Sequence, residues 1–363
     1  MMKKVLIVIS VFLFSCTQKN DVIVVHYSLS SGVELLSSNV FGDIEIIVLH
    51  GEGAPLFSPF VNIIVKDGIF FIADPIHAHK VYLFDSNGEY LNSVGEIGRG
   101  PTEYLNISDL IIEDNGEVSI YSSQGKLYTY SPQGHFLRNR DYAYSSGNFA
   151  KANGFNYHYF GDGSGMPYNL YITDNLNHII DSLWMSANIP YFSSTSPVFT
   201  MFEGTLILCP RYGNEVYRLS DGKPQVSYRF DFREYAIPAE YFGKERSDAY
   251  AFIMNKTVAV KDLFFENQKY AIFLVEVINF HQGSTRYLYG LLEKEASIWK
   301  WYYMKENDFM NNNNLKYMDD SSIYFTAEPT MMTEAGLSER FPILNTLDVN
   351  DGLVILKCKK RQP

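Results

Sequence analysis

Short stretches in which apolar and polar residues alternate recur along most of the chain. Clear examples lie at positions 69–73, 80–84, 117–121 and 126–130. They are rich in β-branched and aromatic side chains and are bounded by Gly, Asn or Asp. Such runs are typical of strands that pack one face against a core. The pattern therefore predicts an all-β protein.

The spacing of the turns indicates that these strands repeat as units. A polar residue followed by Gly precedes a strand at Asp67-Gly68, Asn115-Gly116, Asn153-Gly154 and Glu203-Gly204. A second turn follows most of these pairs, so each unit holds about four strands. A period of roughly 40 to 50 residues with several strands per unit is typical of a β-propeller.

The strands can be laid out as six blades. Blade one occupies 60–94, blade two 107–140, blade three 147–187, blade four 197–232 and blade five 257–303, and the sixth has only three strands, within 315–357. The unassigned strand at 43–49 would complete blade six, close the ring and hide two sheet edges. The alternatives are seven blades, or another all-β fold such as a pair of sandwiches, which would lack the regular turn spacing.

The first residues predict an export signal. Lys3 and Lys4 precede an apolar run at 5–14, which is shorter than the roughly 20 residues that a membrane span needs. Leu13-Phe14-Ser15-Cys16 resembles a bacterial lipobox, in which the cysteine is acylated. We therefore predict a signal peptide at 1–15, a membrane anchor on Cys16, a tether and N-terminal extension at 16–40, and the propeller at 41–363. A plain signal peptide with an accidental cysteine is the alternative.

Several motifs resemble a known family. The segments 69–74 and 80–85, the following Asn87-Gly88, the loop Gly98-Arg-Gly-Pro-Thr-Glu-Tyr104 and the closing strand 353–357 are similar to those of six-bladed propeller lipoproteins of Bacteroidetes, which are related to NHL-repeat and TolB-like propellers. The resemblance is strong in blades one, two and six and weak in blades three to five. It implies the fold and a place in the cell envelope, but no agreed reaction. The residues after Cys16 lack an acidic cluster, which favours the periplasmic side over the cell surface.

Charge and cysteine content narrow the function classes. The chain has 363 residues, 30 of them basic and 41 acidic, and a net charge of −11. This deficit of positive charge argues against nucleic acid as a partner. Besides Cys16, only Cys209 and Cys358 are present. Two cysteines in an exported chain could pair. Because our layout puts them in different blades, we expect two free, buried thiols.

Chain direction separates two ends of the ring. The turns between first and second and between third and fourth strands lie at one end, and most of them are tight. The turns between second and third strands and the links between blades lie at the other end, which we call the linker face. Its segments are longer and more polar, so we expect any binding site there.

Two loops on the linker face belong to blades one and two. His77 and His79 lie in the first and could bind a metal, but no third ligand is close in sequence, which favours a solvated loop. The second holds Arg99, Glu103 and Tyr104. Arg99 could pair with a carboxylate of a ligand or of Glu103, although the family resemblance favours a structural role for this loop.

Two further segments of the linker face predict short helices. One lies in 231–255, after Pro238, and the other in 327–345, after Pro329. Both would narrow the mouth of the ring or simply cap apolar surface. Arg211 and Tyr212, in a loop of blade four, should face the same mouth, and such a pair suits a sugar or a carboxylate. We therefore predict a ligand site formed by Arg99, Tyr104, Arg211, Tyr212 and the two helices.

The sequence contains no recognisable catalytic motif, P-loop or metal signature, so we predict no cofactor and no metal. The interpretation is a membrane-anchored binding or scaffolding module for a saccharide, a peptide or an envelope protein. The alternatives are a glycan-active lyase or hydrolase, and a structural disc that binds a partner through a broad apolar patch. Converging carboxylates or histidines with shifted pKa values at the mouth would favour the enzyme.

Overall fold

A computed structural model describes residues 22–26, 33–34, 40–161, 164–186, 196–242, 246–303, 314–334, 336–347 and 352–360. The predicted signal peptide and Cys16 lie outside these ranges. Six β-sheets form the blades of a ring, and each has an antiparallel core of four strands. Within the described residues, no helix is long and apolar enough to cross a membrane.

The first half of the chain supplies three N-terminal strands and blades one to three. The N-terminal strands are β1 (Ile23–His26), β2 (Val33–Glu34) and β3 (Phe41–Val48). Blade one contains β4 (Asn62–Lys66), β5 (Ile69–Asp74), β6 (Lys80–Phe84) and β7 (Tyr90–Val94). Blade two contains β8 (Asp109–Ile112), β9 (Val118–Ser122), β10 (Lys126–Tyr130) and β11 (Phe136–Asp141). Blade three contains β12 (Asn148–Ala152), β13 (Phe155–Tyr159), β14 (Tyr168–Asp174) and β15 (Ile179–Met185).

The second half supplies blades four to six. Blade four contains β16 (Phe199–Phe202), β17 (Thr205–Leu208), β18 (Glu215–Ser220) and β19 (Lys223–Asp231). Blade five contains β20 (Thr257–Glu266), β21 (Tyr270–Asn279), β22 (Ser284–Glu293) and β23 (Ile298–Tyr303). Blade six contains β24 (Leu315–Met318), β25 (Ile323–Ala327) and β26 (Val354–Lys360), together with β3. In blades one to five the first strand in chain order lies at the centre of the ring, and in blade six this place belongs to β24, so that β20 contacts both β16 and β24.

The N-terminal strand closes the ring, as the sequence predicts. Strand β3 pairs antiparallel with β26, from Val48 opposite Val354 to Phe41 opposite Lys360. It thereby becomes the outermost strand of blade six. The count of six blades and the all-β class are confirmed, and the alternatives of seven blades and of paired sandwiches are excluded.

Part of the N-terminal extension is ordered against the propeller. Strand β1 pairs in parallel with β19, the outermost strand of blade four. Strand β2 pairs in parallel with β23 of blade five. The predicted tether at 16–40 thus contains two strands that lengthen neighbouring blades.

Short helices interrupt the linker face. Helix α1 (Arg246–Asn255) lies in the link between blades four and five, and helix α2 (Pro329–Glu334) lies between β25 and β26. Three single turns of 3-10 helix, Arg233–Tyr235, Ala239–Tyr241 and Pro342–Thr346, flank them. The predicted pair of helical insertions is confirmed, although α1 begins eight residues after Pro238.

Aromatic and aliphatic side chains fill the junctions between blades. At the junction of blades two and three, the rings of Tyr121 and Phe149 stack with centroids 4.3 Å apart. Cys209 and Cys358 are free and buried, as predicted. Burial raises the pKa of the Cys209 thiol to about 11 and that of the Cys358 thiol to about 12.

His158, in the same junction of blades two and three, is completely buried among aromatic rings. The rings of Tyr142, Tyr144 and Phe149 lie 5.1–5.8 Å from its imidazole, and neither ring nitrogen has a hydrogen-bond partner among the described residues. Burial disfavours the charged imidazolium and lowers the pKa of His158 from 6.5 to about 4. His158 is therefore neutral in the folded protein at neutral pH.

We expect this histidine to make the fold sensitive to acid. In the unfolded chain His158 becomes protonated below about pH 6.5, whereas in the folded chain it stays neutral down to about pH 4. Stability present above pH 6.5 should therefore fall by about 3 kcal/mol as the pH drops to 4. Urea unfolding across this pH range should show that the free energy of unfolding falls less for His158→Phe than for the wild type. Parallel pH profiles of the two proteins would contradict this. His158→Gln is the second variant if the first does not fold.

Candidate functional site

The most unusual charged residues of the propeller lie in the middle of its longest central strand. Strand β20 is apolar except for Lys261 and Asp262 near its centre and Thr257 and Glu266 at its ends. Its register with β21 shifts between Lys261 and Leu263, so Asp262 is the extra residue of a β-bulge. Bulges redirect a side chain and often lie beside functional sites. Both charged side chains are nevertheless almost completely buried.

Lys261 holds the neighbouring loop of blade four in place. Its ammonium donates hydrogen bonds of 2.6 Å to the carbonyl oxygens of Pro210 and Gly213. These two residues bracket Arg211 and Tyr212 in the turn between β17 and β18. Burial lowers the pKa of Lys261 to about 8. The loop that carries Arg211 is thus held in place by Lys261 of the next blade.

Arg211 joins two carboxylates from blade five. Its Nη1 donates to Asp262, and its Nη2 donates to Glu276 at 2.6 Å. Asp262 also accepts a hydrogen bond of 2.5 Å from the Ser196 hydroxyl. The side chains of Arg211 and Glu276 keep 15% and 12% of their surface exposed, against 2% for Asp262. The ion cluster is therefore accessible only on the side of Arg211 and Glu276.

Burial and the neighbouring charges shift the pKa values of Glu276 and Arg211. Burial raises the pKa of Glu276, the charge of Arg211 opposes this, and the nearby Asp262 adds to the rise. Burial acts to lower the pKa of Arg211, but the charges of Asp262 and Glu276 outweigh it and raise that pKa. Glu276 can accordingly take up a proton near neutral pH.

Aromatic side chains surround the cluster towards the linker face. Tyr287 lies directly opposite Glu276 on β22 and is partly exposed. Tyr212 packs against the small apolar core beneath α1, in which Tyr241 and Phe252 stack with centroids 4.6 Å apart. The arrangement combines a planar cation, a carboxylate and phenol rings, which can pair with hydroxyl or amide groups and stack on flat ligand faces.

Of the seven residues predicted to bind a ligand, only Arg211 and Tyr212 belong to this cluster. The loop at 98–104 lies between blades one and two, three blades away around the ring. Tyr104 is completely buried in the junction of those blades, and its hydroxyl donates to the His79 carbonyl at 2.8 Å. The expectation that Tyr104 lines the mouth is therefore wrong, because its ring is needed to fill the core.

The remaining residues of that loop have separate roles. Glu103 accepts a hydrogen bond of 2.7 Å from the Gly100 N–H. A Cβ at Gly98 would lie only 1.9 Å from the Glu103 carboxylate, so a larger residue there would displace this carboxylate from its position in the loop. Glu103 thus stabilises its own loop. Arg99 is exposed and makes no hydrogen bond to a described residue.

His77 and His79 lie in the same loop of blade one, and their rings have different surroundings. The His77 ring is 63% exposed and its Nδ1 lies 3.8 Å from Asp74. His79 has a backbone φ of 50°, and its buried Nδ1 has no hydrogen-bond partner among the described residues. In the part of the chain that the structure describes, no three His, Cys, Asp or Glu residues are grouped to hold a metal ion. The solvated loop therefore stays the favoured interpretation of this segment.

Sequence reasoning missed Lys261, Asp262 and Glu276. A signal was present, since Lys261-Asp262 interrupts an apolar run and Glu276 lies alone in the apolar stretch 271–278. Charges in the middle of a fully buried strand are costly unless they are paired. Such positions mark a paired site even before the partners are known.

Comparison with known protein families assigns this chain to a family. The model of a domain of unknown function, DUF4934, matches residues 20–351. The chain belongs to the DUF4934 family. No curated protein matches the sequence significantly.

Solved structures support the fold of this DUF4934 member. A predicted exported protein of Bacteroides fragilis superposes with a TM-score of 0.72 at 15% identity, covering 94% of this chain and 100% of the other. A DUF4221 family member from Bacteroides vulgatus gives a TM-score of 0.52 at 11% identity, with 89% and 98% covered. At these identities the likeness concerns the fold alone.

Proposed function

We propose that this DUF4934 protein is a ligand-binding module whose site is the Arg211 cluster on the linker face. The observation that carries the proposal is the gathering of Asp262 and Glu276 on one guanidinium at a bulge of the central strand. A fold rarely needs such buried ions, because apolar residues of similar volume stabilise a core as well or better. Their presence beside a partly exposed mouth favours a functional role.

The chemistry of the site suits a saccharide or a peptide. Arg211 and Glu276 offer planar groups that form paired hydrogen bonds, while Tyr212 and Tyr287 add flat apolar surface. Hydroxyl-rich rings and amide-rich chains both match this combination. Neither the charge nor the shape of the site favours nucleic acid, which needs a basic surface.

The cell envelope is the proposed location, with acylated Cys16 as the membrane anchor. Two or more acyl chains hold a protein firmly, since each buried CH₂ contributes roughly 0.8 kcal/mol. Two observations support this location, namely the lipobox at 13–16 and the likeness to a predicted exported protein of Bacteroides. The periplasmic side is part of this proposal, and protease treatment of intact cells tests it.

A glycan-active enzyme is the second candidate, and the raised pKa of Glu276 beside Asp262 favours it. Glycan-cleaving enzymes use two carboxylates whose pKa values have been pushed apart. In this protein, however, Ser196 and Arg211 already occupy the two oxygens of Asp262. Asp262 is also almost completely buried, and a carboxylate that a substrate cannot reach is poorly placed to act as base or nucleophile. Binding without turnover is therefore the leading proposal.

A glycan and peptide array tests the proposal. The fragment 20–363 contains every described residue and lacks the predicted signal peptide. We expect the fragment to bind at least one class of glycan or peptide on the array. We expect Tyr212→Ala to weaken that binding by about tenfold or more. Tyr128→Phe, in blade two, is the control and should bind as the wild type does. Hits that Tyr212→Ala leaves unchanged, or no hits at all, would contradict the proposal, and release of a smaller glycan would favour the enzyme.

A further inference from the structure

Two neighbouring central strands carry bulges at charged residues. In β20 the bulged residue is Asp262, and in β24 the register with β25 shifts between Leu315 and Tyr317, which leaves Lys316 as the bulged residue. The two strands contact each other at the centre of the ring. Two adjacent blades thus depart from regular pairing at an acid in one and a base in the other.

Lys316 is a buried cation with unused hydrogen-bonding capacity. Only 5% of the residue is exposed, and its ammonium donates to the Pro59 carbonyl at 2.8 Å. An ammonium has three hydrogens to donate, and no second acceptor is present among the described residues. Asp262 acts on Lys316 through its charge, but its two oxygens bind Ser196 and Arg211.

Arg211 contributes a second unused donor to the same surroundings. Its Nη atoms bind the carboxylates of Asp262 and Glu276, whereas its Nε is buried and has no partner among the described residues. Arg211 binds Asp262 directly, and Asp262 acts on Lys316 through its charge. Both cations therefore keep donors that no described residue pairs.

We propose that the site takes a carboxylate group of its ligand, which would accept hydrogen bonds from Lys316 and Arg211. This inference rests on the function proposed above and adds the chemical class of the ligand. A carboxylate only accepts hydrogen bonds when ionised, and it offers two oxygens to cationic donors. It can belong to an acidic sugar or to an acidic peptide, and the experiment below separates these sources.

The titration of the site supports the same ligand class. Burial lowers the pKa of Lys316 to about 7, and the charge of Asp262 opposes this fall. Bound carboxylate would favour the charged ammonium, so binding near pH 8 should take up a proton. The other charged groups around Asp262 are Arg211, Glu276 and Lys261. As the pH rises, Glu276 gains a negative charge and Lys261 loses a positive charge. Both changes weaken anion binding further.

Calorimetry on fragment 20–363 tests this inference with matched probes at constant ionic strength. The pairs are glucuronate against glucose and N-acetylglutamate against N-acetylglutamine. We expect one acidic probe to bind at least about tenfold more tightly than its neutral partner, and more tightly at pH 6.5 than at pH 8.5. The preferred pair identifies the source of the carboxylate.

Lys316→Met is the decisive variant, because it keeps most of the volume of the side chain and removes a buried charge. It should abolish the preference for the acidic probe, whereas Lys126→Met, on the third strand of blade two, should not. Equal binding of acidic and neutral probes, no binding of either acidic probe, or an unchanged preference in Lys316→Met would overturn the inference. Array ligands that require Tyr212 but not Lys316 would overturn it and leave the proposed function standing. Acidic probes that require Lys316 but not Tyr212 would instead contradict the proposed site.

Discussion

A chain that begins at Leu49, and therefore lacks β3, should fail to give a soluble, cooperatively folding protein. The deletion exposes the whole edge of β26 and removes Phe41 and Ile47, which are buried in the cores on either side of blade six. Burial of each such side chain contributes about 1.5–3 kcal/mol. Together with the lost pairing, this is comparable with the roughly 5–15 kcal/mol that stabilise a typical protein.

The matched control is a chain that begins at Val40. It lacks β1 and β2 but retains β3, so the ring can still close. We expect it to be soluble and to unfold in one transition at a somewhat lower temperature than the longer chain. Circular dichroism and size-exclusion chromatography measure both outcomes. A soluble, cooperatively unfolding chain without β3 would mean that pairing of the two termini is not needed to complete the propeller.

Asp262→Ala should destabilise the protein by about 3–5 kcal/mol, because it leaves buried cations without their nearest carboxylate. Arg211 would keep only Glu276, and Lys316 would lose the charge that supports its ammonium. The released Ser196 hydroxyl adds a smaller cost. Urea unfolding at pH 7 measures the change as a lower midpoint.

Asp141→Ala provides the comparison for this variant. The Asp141 carboxylate lies 3.1 Å from the Lys126 ammonium at the outer edge of blade two. The Asp141 side chain is 79% exposed there. An exposed ion pair contributes about 0–1 kcal/mol, so this substitution should hardly change the midpoint. If both alanine variants destabilise the chain equally, the Arg211 cluster is not the strongly coupled network that the contacts describe.

The architecture could be predicted because it depends on short-range patterns. Alternation within 80–84 or 126–130 and the turn pairs at Asp67-Gly68 and Asn115-Gly116 specify strands and their connections locally. The closing strand could be inferred because blade six lacked one member and 43–49 had no assignment. The strands in the N-terminal extension could not be predicted, because the parallel pairing of β1 with β19 joins residues about 200 positions apart.

The site was only partly predictable for the same reason. Arg211 and Tyr212 stand out in a polar loop, but the partners of Arg211 come from the first two strands of the next blade. The bulge that directs Asp262 towards Arg211 depends on strand register, which the sequence pattern does not report. Tyr104 looks like a mouth residue because its loop lies on the linker face, yet tyrosine at that position fills the junction between blades.

The most direct measurement of the central claim is hydrogen exchange of fragment 20–363 with and without its array ligand, read by mass spectrometry. If the ligand binds at the Arg211 cluster, exchange should slow at 209–214 and at 276–287. The turn at 220–223, on the opposite face of blade four, should exchange at the same rate in both samples. Slowing confined to that turn or to the outer strands, with 209–214 unaffected, would contradict the assignment of this site.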